Sequence, residues 1–222
     1  NDADMAMMIA YLKTLYAESA PGVTDEVIHL ATVIQPGVPA AKRQAMLDVL
    51  QAFIHDKNAG VRSDERRRSA GAMRMYRAYR KWELHVWELG GPPQGWGRQL
   101  EAKYKDQPVF ALVSGIGVQS WQPIHEFSER YRIPCVLPLT GLPALTEKEG
   151  FYTIYFSRGI SLEADALALH LRRRHEARSI VQVYRRDDAG AVAAARFREE
   201  LGDMAGQLED RPLTGAPPEA SW

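Results

Sequence analysis

The segment PVFALVSGIGVQSWQPIHEFSERYRIPCVLPLTG, from Pro108 to Gly141, decides the fold. Its apolar run Val109–Val113 has the length and composition of a buried strand. Ser114 to Ser120 follows as a loop of small residues, and a helix is predicted from about Trp121 to Tyr131. A second strand runs through Ile133–Pro138 and ends on Leu139-Thr140-Gly141. Downstream the rhythm continues with a short strand around Tyr152–Phe156, a helix, and the strand Ser179–Tyr184. Arg185-Arg186-Asp187-Asp188-Ala189-Gly190 then opens one more helix. Strands alternating with helices at this spacing predict an α/β fold, a Rossmann-like parallel sheet with helices on both faces. Ligands of such sheets lie beyond the carboxyl ends of the strands, where these loops fall.

Upstream, Val27–Ile34 is strongly apolar and rich in β-branched residues, as a first strand would be. The turn Pro36-Gly37-Val38-Pro39 stands at its carboxyl end. Ala45, Met46, Val49, Leu50, Phe53 and Ile54 recur at helical spacing. They predict a helix from Ala40 to about Asn58, stopped by Asn58-Ala59-Gly60. Arg62–Lys81 is basic, a short helix or a surface insertion. Trp82–Leu89 alternates as a second strand, with Trp82, Leu84 and Val86 on one face and Glu83, His85 and Trp87 on the other. Gly97–Lys105 reads as a short amphipathic helix. At the start, Met5, Met8, Ile9, Leu12 and Leu15 line one face of a helix over Asp4–Tyr16, which Ser19-Ala20-Pro21-Gly22 ends. Beyond Leu201 the chain carries little pattern.

The 222 residues suffice for one large domain or two small ones with a real core. Lys and Arg number 28, as do Asp and Glu, so the basic excess of a nucleic-acid or anionic-membrane binder is missing. Arg66-Arg67-Arg68 and Arg172-Arg173-Arg174 read as solvated helix faces. No apolar run approaches the ~20 residues of a membrane span, so direct membrane insertion is not expected. Cys135, the single cysteine, lies in an apolar strand. It excludes a disulfide framework within the chain and reads as a small buried hydrophobe.

Gly115-Ile116-Gly117-Val118-Gln119-Ser120 holds two glycines of a dinucleotide fingerprint but has Ser120 in place of the third. A nucleotide-dependent enzyme is therefore a minor reading. A loop of this kind at a helix start instead suits a carboxylate or polar group. Thr140 and Gly141 end the next strand at the same sheet edge, and Trp121, which begins the intervening helix, would wall a ligand. Gln119, Ser120, Trp121, Thr140 and Gly141 are the expected ligand-binding residues. His29 and His85 lie in strands, where packing is the default, and no histidine pair has a metal-ligand spacing along the chain. With no G-x-S-x-G elbow and no Cys–His pairing, the sequence offers no catalytic constellation.

From Val109 to Leu201 the sequence resembles the type I periplasmic solute-binding proteins, especially the branched-chain amino-acid (leucine/isoleucine/valine) group. The resemblance rests on Ser114–Ser120, Gln122-Pro123, Arg132-Ile133-Pro134 and Leu137-Pro138-Leu139-Thr140-Gly141-Leu142-Pro143. It continues through Phe151-Tyr152, Ser161-Leu162-Glu163-Ala164, Val183-Tyr184 and Asp187-Asp188-Ala189-Gly190. It implies two Rossmann-like lobes that close on a ligand. The chain would then divide into an N-terminal helix and linker (1–22), a first lobe (23–178) and the start of an incomplete second lobe (179–222). It implies a non-enzymatic periplasmic component of an ABC-type transport system that passes a small amino-acid-like or polar solute to an inner-membrane permease or receptor. Ligand carboxylate and ammonium would be held at Val118, Gln119 and Ser120 and at Leu139, Thr140 and Gly141. Val118 stands where those amino-acid binders usually have serine, and Ala189 where an aromatic residue often precedes Gly190.

Asp4-Met5-Ala6-Met7-Met8-Ile9-Ala10-Tyr11-Leu12-Lys13-Thr14-Leu15 is similar to the C-terminal helix of class I c-type cytochromes. The alternative implied is a redox-associated protein with an upstream haem domain fused to a degenerate binding lobe. No cofactor is expected within this chain itself, since C-x-x-C-H is absent.

Overall fold

The computed structural model describes Met5, Met7, Met8 and residues 20–68, 80–144, 150–174, 179–186 and 188–213. Met5, Met7 and Met8 are helical. The rest of the cytochrome-like segment, most of the basic stretch before Lys81, and the last nine residues lie outside the described residues.

The apolar run Val27–Ile34 forms β1 across its whole predicted length. Lys81–Glu88 forms β2, which pairs with β1 in parallel from Val27↔Lys81 to Ile34↔Glu88. On the other side of β1 the chain passes twice. β3 (Ala111–Val113) pairs at Leu30 and Ala31, and β4 (Ile116–Gly117) pairs at Ile34. What the sequence reads as a loop after one strand is thus a kink, after which the chain rejoins the sheet. Ser114 and Gly115 make the kink with φ of 56° and 97°. Only glycine fits at the second position, where a Cβ would stand 2.9 Å from the Trp121 ring and 3.0 Å from the Val33 carbonyl. The next line repeats the device. β5 (Cys135–Val136) and β6 (Leu139–Thr140) are separated at Leu137, whose φ is 53°. β7 (Thr153–Ile154) pairs with β5.

All these pairings are parallel, and the lateral order is β2, β1, β3 with β4, β5 with β6, then β7. Helices cover both faces. α1 (Ala40–Arg68) contributes Met46 and Leu47 to a cluster with Ile34 and Ile116. On the opposite face α2 (Trp96–Asp106) and α3 (Gln122–Tyr131) bring Trp96, Leu100, Ile124 and Phe127 against Ala31, Val33, Trp87, Leu112 and Cys135. The expected α/β, Rossmann-like sheet is therefore the observed fold.

Three local expectations are corrected. α1 does not stop at Asn58-Ala59-Gly60 but runs on to Arg68. Asn58 is spent elsewhere: its side chain accepts from Trp82 N–H and donates to Trp82 C=O, both at 2.9 Å, pinning the helix to β2. The buried stripe of α1 is Met46, Leu47 and Ile54, and Val49 and Phe53 are exposed. Finally, the patternless region beyond Leu201 contains β9 (Leu208–Leu213), paired in parallel with β8 (Ile180–Arg185).

A second core forms around this pair. α4 (Ile160–Arg174) and α5 (Asp188–Leu201) join Ala164, Ala168, Ile180, Phe197 and Leu201 in one cluster. Arg196 of α5 ties the helices through Asp165 of α4 at 2.5 Å and is steadied within α5 by Glu200 at 2.5 Å. α4 therefore packs with the second sheet, although it precedes the expected boundary at residue 178.

Candidate ligand-binding crevice

The strand order reverses beside β1: the chain moves from β1 outward to β2, then crosses back to β3 and β4. A crevice opens at such a switch point, outside the carboxyl ends of the two diverging strands. Here the loops at that position are Gln35–Gly37 after β1 and Val118–Ser120 after β4.

Gln35 organises both. It is 2% exposed, so its amide must be satisfied internally. Its Oε1 accepts from Gln119 N–H at 2.9 Å, and its Nε2 donates to Ser120 C=O at 3.1 Å. Its own N–H donates to Ile116 C=O at 3.0 Å. The side chain lies flat over Gly117, where a Cβ would stand 2.4 Å from its Cδ. The glycine that resembles part of a dinucleotide fingerprint thus makes room for a buried glutamine. Sequence reasoning passed over Gln35; the available signal was an amide ending an otherwise apolar strand just before a Pro-Gly turn.

Four of the five expected residues come together. Gly117↔Thr140 is a sheet pair, which sets the loops after β4 and β6 side by side. Trp121 N–H donates to Leu142 C=O at 2.9 Å and ties them. Ser120 Oγ accepts from Gln122 N–H at 3.2 Å, and Thr140 Oγ1 accepts from Leu142 N–H at 3.0 Å. Each hydroxyl oxygen is therefore oriented by its own turn, and each keeps its O–H hydrogen as a donor. Gln119 and Ser120 are half-buried, Thr140 likewise, and Gly141 is exposed. Val118 is 48% exposed and adds an apolar surface beside Gly37, whose Cβ position would touch its Cγ2 at 3.4 Å.

Trp121 is the correction. It is completely buried among the core residues beneath the loop. Its indole fills the space over Gly115 and offers no ring face to a ligand.

Gly141 has a further neighbour. Its carbonyl accepts from Ile160 N–H at 2.9 Å, and Gly159, with φ of 59°, passes so close that a Cβ would stand 2.2 Å from that oxygen. The chain thus enters α4, and with it the second core, directly beside the crevice. Nucleophilic chemistry finds no support in Cys135. The thiol is fully buried, and burial pushes its pKa up to about 11.

No family model and no curated protein matches the sequence. Solved structures match the fold. The ABC transporter substrate-binding protein from Desulfitobacterium hafniense in complex with Leu aligns with 86% of this chain and 52% of its own, at 17% identity and a TM-score of 0.52. An ABC transporter substrate-binding protein from Sphaerobacter thermophilus aligns over 86% of this chain and 49% of its own, at 15% identity and a TM-score of 0.52. For the fatty acid ABC transporter substrate-binding protein from Thermomonospora curvata the figures are 88%, 46%, 16% identity and a TM-score of 0.50. The chain spans about half the length of these structures. Its fold is that of a type I periplasmic binding-protein lobe.

Proposed function

We propose that this chain is the first lobe, with the opening of the second, of a periplasmic solute-binding protein that serves an ABC permease or receptor and catalyses no reaction. The reading is carried by the Gln35-braced loop at the switch point. It presents Gln119 and Ser120 beside Thr140 and Gly141, with two hydroxyls whose hydrogens remain to be donated. The side chains of Val118, Gln119, Ser120 and Thr140 are uncharged. Such a wall suits a ligand whose acceptor oxygens take hydrogen bonds here, while any cationic group is met elsewhere. Val118 adds an apolar contact where the amino-acid binders usually offer a hydroxyl. A carboxylate with an apolar portion fits that pairing, a class that includes apolar amino acids and short fatty acids. The solved structures that share the fold support the reading, since one is a substrate-binding protein in complex with Leu and another a fatty acid ABC transporter substrate-binding protein.

The second core begins at α4, next to Gly141, so lobe closure would bring new groups over the same residues. A thermal-shift screen of amino acids, small carboxylates and short fatty acids tests the proposal. A ligand of the native state raises the melting temperature in proportion to RT ln(1 + [L]/Kd). A flat response across all three classes contradicts it.

A further inference from the structure

The carboxyl ends of the strands hold the crevice, and a different cluster stands toward their amino ends. The parallel register sets His29 of β1 opposite Glu83 of β2 and Ala31 opposite His85. Side chains two apart on a strand share a face, so His29, Glu83 and His85 project together. They do so on the face that carries Ala31, Val33 and Trp87 into the main core. His29 Nδ1 lies 3.0 Å from His85 Nε2 and 3.7 Å from Glu83 Oε2. One ligand atom from each of the three falls within 4.8 Å of the others.

Metal–nitrogen bonds of about 2.0–2.1 Å, with angles of about 90–109° at the ion, place two nitrogens about 2.9–3.4 Å apart. The observed 3.0 Å is the length of an N–H···N hydrogen bond between the two rings and falls inside that range, so an ion would take the place of the bridging proton. His29 has a side chain 16% exposed, so its ring is held, whereas Glu83 is 57% exposed and free to swing onto the same point. The neutral imidazole is the form that ligates. Two imidazoles and one carboxylate are a borderline donor set that suits Zn²⁺ and its late-transition neighbours, with water completing the coordination.

We propose that His29, Glu83 and His85 form a binding site for a divalent transition ion of the Zn²⁺ type, clamping the edge strand β2 onto β1 away from the solute crevice. The ion would add to what already holds this sheet edge: backbone pairing with β1, Trp87 in the main core, the Arg43–Glu88 ion pair and the Asn58 contacts to Trp82.

The test is calorimetric titration of Zn²⁺ into the chelator-stripped 222-residue chain, with Co²⁺ absorption as a second readout of coordination. The expected result is one saturable equivalent that raises the melting temperature. Saturable binding should be lost in the His29→Ala/His85→Ala double variant, which keeps one of the three donors, and affinity should fall by at least about 10-fold in Glu83→Gln. Glu83→Gln alters an exposed side chain and keeps the test readable if the double variant does not fold. The proposal is overturned if the wild type binds no equivalent. It is equally overturned if a folded Glu83→Gln variant binds Zn²⁺ and gives the Co²⁺ spectrum unchanged, which would remove the carboxylate from the site, or if a folded double-histidine variant binds as the wild type does. Neither result bears on solute binding, because no residue is shared with the crevice.

Discussion

Gln35 and Gly117 form a contact that a double-mutant cycle can measure. In Gly117→Ala the new methyl would stand 2.4 Å from the Gln35 Cδ and Oε1, against an ordinary carbon contact of about 3.5–4.0 Å. The amide must move by roughly 1 Å to restore that spacing. It cannot do so freely, because both its ends are bonded, to Gln119 N–H and Ser120 C=O. Displacing it breaks those two bonds and leaves their backbone partners unpaired, at about 1–3 kcal/mol for each buried group. Two such groups would cost about 2–6 kcal/mol if fully buried, and because Gln119 and Ser120 are half-buried a loss of about 2–4 kcal/mol is expected for Gly117→Ala. Gln35→Ala removes the same two bonds and should cost a similar amount, about 2–4 kcal/mol. Once the Gln35 amide is gone the clash disappears, so the double variant should resemble Gln35→Ala alone. Urea denaturation of the four proteins, followed by tryptophan fluorescence, gives the coupling energy. About 2 kcal/mol or more of non-additivity is predicted, whereas additivity within about 0.5 kcal/mol would refute the brace.

Other outcomes follow from the same geometry. Leu201→Ala, at a position with no exposure, should cost about 2–5 kcal/mol. Hydrogen exchange should show that loss first in α4, α5 and β8, whereas Leu100→Ala should act on β1 to β3. Cys135 should resist thiol reagents at about pH 8 until the chain unfolds. Its thiol is raised by burial from 9.0 to about 11 in the folded state. The stability that it contributes is complete below about pH 9 and is lost as the pH rises toward about 11, by roughly 2–3 kcal/mol. Tyr155 adds to this alkaline sensitivity, because burial raises its phenol too. Denaturant midpoints in a Cys135→Ala variant, compared with wild type from about pH 8 to about pH 11, isolate the thiol's share.

The parallel sheet was legible because β1 is a continuous apolar run and because α2 and α3 carry regular amphipathic faces. The crevice was legible in part. Ser120 and Thr140 stand at strand ends, where a polar residue interrupts an apolar pattern, and the β4–β6 pairing does bring them together. The kinked strands were hidden because β4 and β6 are two residues each, set by positive φ at Ser114, Gly115 and Leu137 rather than by propensity. Asn58 looked like a helix stop, since its bond to Trp82 spans 24 positions and leaves no local trace. Trp121 looked exposed at the end of a loop, but the space above Gly115 draws it inward. β9, with Pro212 and three charged residues in Glu209-Asp210-Arg211, has no alternation to read and takes its form from β8. The histidine pair depends on register between two strands, which spacing along the chain does not reveal.

The decisive measurement is calorimetric titration of the ligand that gives the largest thermal shift into wild type and into Ser120→Ala/Thr140→Val. Loss of two hydroxyl donors to an anionic acceptor, at about 1.5–3 kcal/mol for a hydrogen bond to a charged group, should weaken affinity at least about tenfold. The fold should survive, because each hydroxyl oxygen accepts only a single turn bond. An affinity unchanged in the folded double variant would contradict the crevice assignment.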